Sequence, residues 1–402
     1  MLDRVYLERY ADVMVWALTT ARQSTGGTFV PGDVVLVRFD RPALALAEYI
    51  SMRLTENGFN ALLRLDDSPA VEKHFLINAT DAQLTFVGPW EGAFYRSLNG
   101  LIMLEAPTAL EHLKDVPSQR QIAIRKARKK LTRTIYARSD RGQLGWTRCT
   151  IPTPVLARKA GMPLVTYEEE VIKACYLNRT DPISAWRETI AQAQVIKNWL
   201  LGLAIAKLHI ESERTDLVVT PGPHRQWLGL SGHNIPSFEI FTSPDWRGTR
   251  GVYYANTPSI RNGNVVSGIS LTFERGAVVK AETQQGERYL LSQLEADPGA
   301  RRIGEFSLTD KRFSPIARFM ADIIFDENVG QPNGNCHIAL GFGFSEALVI
   351  DQRSLTAKMK RELGLNDSVI HWDMLNTEPK VVTAHLCNGD RKVIYEDGCF
   401  TY

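Results

Sequence analysis

The sequence predicts an α/β fold with a largely parallel sheet in its N-terminal half, joined to a β-rich C-terminal half, so the chain as a whole combines α/β and α+β character. Three observations predict this. Before Thr215, short aliphatic runs alternate with stretches of helical period. From Thr215 onward, short strands follow one another, separated by Gly, Asn and Pro. A length of 402 residues is also too great for one simple core and favours two domains, expected at 1–225 and 226–402.

The elements are read in order. Residues 7–20 carry apolar side chains at helical spacing. Pro31-Gly32-Asp33 turns into Val34-Val35-Leu36-Val37-Arg38, a β-branched run of the kind a parallel sheet buries. Residues 42–57 read as a helix ending at Gly58, and Ala61-Leu62-Leu63-Arg64-Leu65 as the next strand. Residues 82–87 and 100–105 are two more expected strands, and none of these strands is followed by a Gly-rich phosphate loop. Residues 119–138 hold Arg120, Arg125, Lys126, Arg128, Lys129, Lys130, Arg133 and Arg138, which read as a solvated helix face. Residues 146–154 read as strand and then a rigid turn, and residues 187–209 as one long helix. The strands expected beyond Thr215 are 216–219, 237–242, 250–255, 268–274 and 278–282.

Composition excludes several classes. A net charge of +2, from 47 basic and 45 acidic residues, supplies no field for holding nucleic acid or an anionic membrane. The basic run has few aromatics to stack bases, so no nucleic-acid partner is expected. The longest apolar stretch, residues 199–205, is far short of the roughly 20 residues of a membrane span. The five cysteines are scattered without a Cys-x-x-Cys pair and read as reduced thiols, with Cys336 a small apolar filler. Met1-Leu2-Asp3-Arg4 leads into an amphipathic helix with no secretory pattern, so a cytoplasmic location is expected.

The chemistry is concentrated near the C-terminus. In Ser368-Val369-Ile370-His371-Trp372-Asp373 the strand period sends His371 and Asp373 to one face, where they can hold one metal ion or two adjacent ones. Glu239, Glu305, Glu327 and His337 are further candidate ligands. Histidines and carboxylates without a nearby zinc-type cysteine pair suit zinc, cobalt or manganese in a hydrolytic site. A two-metal site of this kind wants bridging carboxylates, terminal His and carboxylate ligands, and one more carboxylate as general base.

A series of segments, collinear over nearly the whole chain, resembles the aminopeptidase T / aminopeptidase S family of two-metal metallopeptidases. The matching pieces are Trp146-Thr147 with Pro152-Thr153-Pro154 and Ala157-Arg158-Lys159, Asp181-Pro182 with Ala185-Trp186-Arg187, and Thr215-Asp216-Leu217. They continue with Glu239-Ile240-Phe241-Thr242-Ser243-Pro244, Gly304-Glu305, Phe325-Asp326-Glu327-Asn328, Cys336-His337-Ile338-Ala339-Leu340-Gly341 and Ile370-His371-Trp372-Asp373. The resemblance implies a metal pair held by Glu239, Glu305, His337, His371 and Asp373, with Glu327 as general base. It also implies an N-terminal α/β domain, a C-terminal metal-binding domain, a homodimer, and short peptides cut at their N-terminal residue by metal-assisted hydrolysis.

Two departures from the family stand out. Phe344 occupies the position of a tyrosine that stabilises the tetrahedral intermediate, and residues 329–335 form a longer, Gly- and Asn-bearing link that reads as a flexible loop. Ring-cleaving dioxygenases acting on dihydroxypyridines resemble the same family and hold a single iron. Such an enzyme, or another repurposed metalloenzyme on this fold, is therefore the alternative expectation.

Overall fold

The computed structural model describes residues 2–402, which divide into two compact units. The first runs to Glu188 and takes in Leu230–Ser237 and Met320–Ile324; the second holds Thr189–Gly229, Phe238–Phe319 and Phe325–Tyr402.

The first unit is built on a five-stranded sheet, all of it parallel, in the order Asn60–Leu65, Val34–Phe39, Gly100–Glu105, Gly145–Thr150, Asn234–Ile235. Val35, Leu36, Val37 and Ile102 are almost wholly buried at its centre, as their unbroken apolar runs require. The Leu44–Glu56 helix ends ahead of Gly58, whose φ of +78° supplies the left-handed residue that closes the turn.

Three expectations change here. Residues 82–87 are not a strand: Asp81–Leu84 is a helical turn, because Thr80 and Gln83 form a reciprocal capping box. Pro154 opens the Pro154–Lys159 helix instead of a turn, with the Thr153 hydroxyl accepting from the Leu156 N–H. The long helix runs Pro182–Gly202, started by Asp181 accepting from the Ser184 N–H, and Ile205–Ser212 is a strand. An apolar run reads alike in either state, and Ala204 at φ +48° breaks the helix there. The basic helix spans Ser118–Ser139; Arg120 donates to the carbonyls of Leu76 and Ala79, and Arg128 pairs with Glu91, so part of its charge is spent inside the unit.

The second unit contains two large antiparallel sheets and a two-stranded one, Ser259–Arg261 with Asn264–Val266. The eight-stranded sheet runs from Ala277–Glu282 at one edge to Cys399–Phe400 at the other. The four-stranded sheet has the order His371–Asn376, Asn335–Gly341, Ile303–Thr309, Glu239–Thr242. Its core-facing side chains, among them Phe306, Ile338, Trp372 and Met374, are at most 1% exposed. The Tyr253 hydroxyl, from the larger sheet, reaches the carbonyls of Cys336 and Met374 and ties the two sheets together. No helix among the described residues is long and apolar enough to cross a membrane.

Candidate metal centre

The four-stranded sheet carries its acids and histidines on one face, and its register decides which of them meet. Glu239 stands opposite Thr309, which stands opposite Asn335. In the next row Phe241, Ser307, His337 and Leu375 are neighbours, and in the next Glu305, Ala339 and Asp373. His371 lies beyond, opposite Gly341. Alternation along each strand keeps all of these on the same face.

Glu305 owes its place to an irregularity. Ile303 pairs with Leu340 and Glu305 with Ala339, so Gly304 is an extra residue in the ladder, a β-bulge. A side chain there is impossible, since a Cβ would come within 2.4 Å of the carbonyl oxygens of Gly341 and Phe342. The bulge re-aims the strand so that Glu305 points onto the polar face.

The two oxygens of Glu305 face different imidazoles. Oε1 lies 3.1 Å from His337 Nε2, which is also 3.3 Å from Glu239 Oε2. Oε2 lies 3.9 Å from His371 Nε2, which is 3.2 Å from Asp373 Oδ1. Two sets of donors therefore share one carboxylate: Glu239, Glu305 and His337, and Glu305, His371 and Asp373, each with ligand atoms within 4.8 Å of one another. All five residues of the expected set come together.

Electrostatics show what the hollow calls for. Burial disfavours charge on both imidazoles, yet the adjoining carboxylates outweigh it: His337 is held well above its usual range and His371 is raised to about 9. Burial pushes Glu305 up in spite of its His337 hydrogen bond, whereas for Asp373 the His371 charge overcomes burial and holds the carboxyl below its usual range. Three carboxylates facing two imidazoles make an anionic, largely water-excluded pocket, and this donor chemistry fits divalent cations of the zinc, cobalt and manganese kind.

Neighbouring groups orient these side chains. His371 Nδ1 donates to the Phe342 carbonyl at 2.7 Å, which leaves Nε2 free to turn towards Asp373 and Glu305. The Ser307 hydroxyl donates to Glu239 Oε2 at 3.4 Å. His337 Nδ1 has no hydrogen-bond partner among the described residues, so that ring is held through Nε2 by the carboxylates. Cys336 points to the opposite face of its strand from His337 and belongs to neither donor set; burial raises its thiol to about 11.

Glu327 is buried and belongs to neither donor set. It follows the Ile323–Asp326 helical turn, and its carbonyl accepts from Asn335 Nδ2 at 2.9 Å and Thr309 Oγ1 at 3.3 Å, both in the row of Glu239. The 329–335 link is not a free loop. The Gly330 and Gln331 N–H groups bond to the Ile316 carbonyl, Gly334 bonds back to Gly330, and Asn333 donates to Thr377. Phe344 stands beside the centre: its ring lies 5.0 Å from that of His371 and packs edgewise against Phe241 and Phe342.

The family described as "Thermophilic metalloprotease (M29)" matches residues 4–400. The chain belongs to this family. It is 27% identical to Aminopeptidase AmpS of Bacillus subtilis, over 72% of this chain and 74% of that protein. It is likewise 27% identical to Aminopeptidase T of Thermus aquaticus, over 91% of this chain and 93% of the relative. Among solved structures, wild-type AmpT from Thermus thermophilus shares the fold with a TM-score of 0.75 at 22% identity, over 95% of this chain and 99% of that one. This M29 chain therefore has the mixed fold expected of it, with the parallel sheet in its first unit.

Sequence reasoning missed Ser307, Thr309, Asn335 and Ala339. Strand alternation from Glu305 and His337 was the available signal, since each lies two or four residues from a candidate ligand on the same strand.

Proposed function

We propose that this M29 member is a metal-dependent aminopeptidase that removes the N-terminal residue from short peptides. The observation that carries the reading is the shared carboxylate of Glu305, its two oxygens turned towards two separate imidazoles. In this reading Glu239, Glu305 and His337 hold one divalent ion and Glu305, His371 and Asp373 a second, the metal being zinc, cobalt or manganese. The enzyme works as a cytoplasmic homodimer.

When bound, the ions polarise the scissile carbonyl and lower the pKa of a water. Glu327 would take a proton from the attacking water and deliver it to the leaving amine. The Phe342 carbonyl, through the Nδ1 proton of His371, keeps the ring from rotating. Phe344 excludes water from the His371 side but offers no hydroxyl to an oxyanion. A single-iron ring-cleaving oxygenase has no observation in its favour, in the site or among the relatives.

The test is elemental analysis of the purified protein together with hydrolysis of leucyl peptides. About two ions per chain and chelator-sensitive release of the N-terminal leucine are expected. One ion per chain, or no release from any free-amino peptide, would overturn the reading. Chelation should also lower the melting temperature, because the ligands come from four separate strands that the ions tie together; an unchanged midpoint would count against that tie.

Two substitutions probe details. Ala339 is flanked by Glu305 and Asp373, so Ala339→Leu should fill the hollow between them and remove about one ion per chain, at a stability cost of about 1–3 kcal/mol. Full metal content in that variant would mean the second ion lies elsewhere. Phe344→Tyr restores a hydroxyl beside His371 and should raise kcat by about tenfold, a fraction of what an oxyanion donor is worth. An unchanged kcat would mean that another donor already serves.

A further inference from the structure

Thr309 and Asn335 are a cross-strand pair, both fully buried, on the face that carries the metal centre. Their side chains converge on one atom. Asn335 Nδ2 lies 2.9 Å and Thr309 Oγ1 3.3 Å from the carbonyl oxygen of Glu327, and Asn335 Nδ2 is also 3.0 Å from that of Asp326. The pair shares its row with Glu239. A second tie runs beside the first: Asn328 accepts from the backbone N–H of Phe238, the residue before Glu239, and the Ser314 hydroxyl donates to the Asn328 carbonyl. Glu327 is thus bonded through Thr309 to the strand of Glu305 and through Asn335 to that of His337, while Asn328 beside it is bonded to the residue that precedes the strand of Glu239.

Glu327 lies just past the end of a four-residue turn, where the Asn328 and Val329 N–H groups bond back to the Phe325 and Asp326 carbonyls. The carbonyl of Glu327 itself is met by the two side chains. Two donors on one carbonyl fix the peptide plane from which the Glu327 side chain departs. A proton acceptor is useful only within hydrogen-bond reach of its proton, and a misplacement of about 1 Å can cost on the order of 10²-fold in rate. The 329–335 link has a place in this arrangement: its last residue is Asn335, and the Tyr395 hydroxyl donates to the Thr309 carbonyl at 2.7 Å from outside the pair.

We infer that Thr309 and Asn335 are positioning residues that act through Glu327, holding its backbone in register with Glu239. This rests on the aminopeptidase reading above, in which Glu327 moves the proton. The holding itself is open to test without turnover.

Three variants are compared in the metal-loaded, full-length protein: Thr309→Val, which removes the hydroxyl at nearly constant shape, Thr309→Ser, which keeps it, and Asn335→Ala. Each is scored for metal content, for kcat and KM on a leucyl peptide, and for hydrogen exchange of the 325–329 segment. Thr309→Val should lower kcat about fivefold and Asn335→Ala about 50-fold, with KM within twofold and both ions retained. Thr309→Ser should restore kcat, and exchange at 325–329 should quicken in the first and third variants. Unchanged kcat in Thr309→Val and Asn335→Ala overturns the inference, as does a loss that merely tracks metal content. If the wild type cleaves no peptide, the aminopeptidase reading falls, and exchange then decides for the pair: unaltered protection of 325–329 overturns it, faster exchange upholds the holding role. Should Asn335→Ala not fold, the Val and Ser pair at position 309 decides alone.

Discussion

Glu305→Ala should strip both ions from the protein and lower kcat/KM by at least about 10²–10³-fold, the scale on which loss of one charge-stabilising group acts in a water-excluded site. Glu305 alone belongs to both donor sets, with one oxygen towards His337 and the other towards His371. Its removal leaves each set with two donors, whereas Glu239→Ala leaves the His371 and Asp373 set intact. The contrast between the variants is the informative measurement. Elemental analysis should find essentially no metal in Glu305→Ala and about one ion per chain in Glu239→Ala. Two tightly held ions in Glu305→Ala would falsify the shared-carboxylate arrangement.

Glu327→Gln should lower kcat by about 10²–10⁴-fold while both ions stay bound and KM changes little. The amide keeps the size of the carboxylate and cannot take a proton from water. Glu327 lies outside both donor sets, so the two effects are separable: loss of proton transfer without loss of metal. Steady-state kinetics on the metal-loaded variant measure this directly. Activity within twofold of the wild type would remove Glu327 from the proton-transfer role. Loss of an ion together with the activity would move it into the ligand set.

The 329–335 link shows how a composition-based reading goes astray. Gly330, Pro332, Asn333 and Gly334 resemble a flexible connection, because each is common where the backbone is free. In the folded chain the same residues form a turn whose backbone groups are bonded to Ile316 and to one another. Small residues were needed because the turn is crowded: a Cβ at Gly334 would lie 1.8 Å from the Tyr395 hydroxyl. A crowded turn and a flexible loop select the same residues for opposite reasons.

Features with local causes were legible in the sequence alone. His371 and Asp373 share a face because a strand repeats every two residues, and that period is visible in Ile370-His371-Trp372-Asp373. The α/β alternation of the first unit follows from runs such as Val34–Phe39, and the end of the Leu44–Glu56 helix from Gly58. The capping box at Thr80 and the start of a helix at Asp181 were equally local, although apolar periodicity drew attention away from both. Only the tertiary structure decided that Glu305 lies between two imidazoles. That depends on the pairing of four strands drawn from positions near 239, 305, 337 and 371, and on the bulge at Gly304 that shifts the ladder by one residue. Register is a property of hydrogen bonds between distant segments, and a slip of one residue would have sent Glu305 into the core.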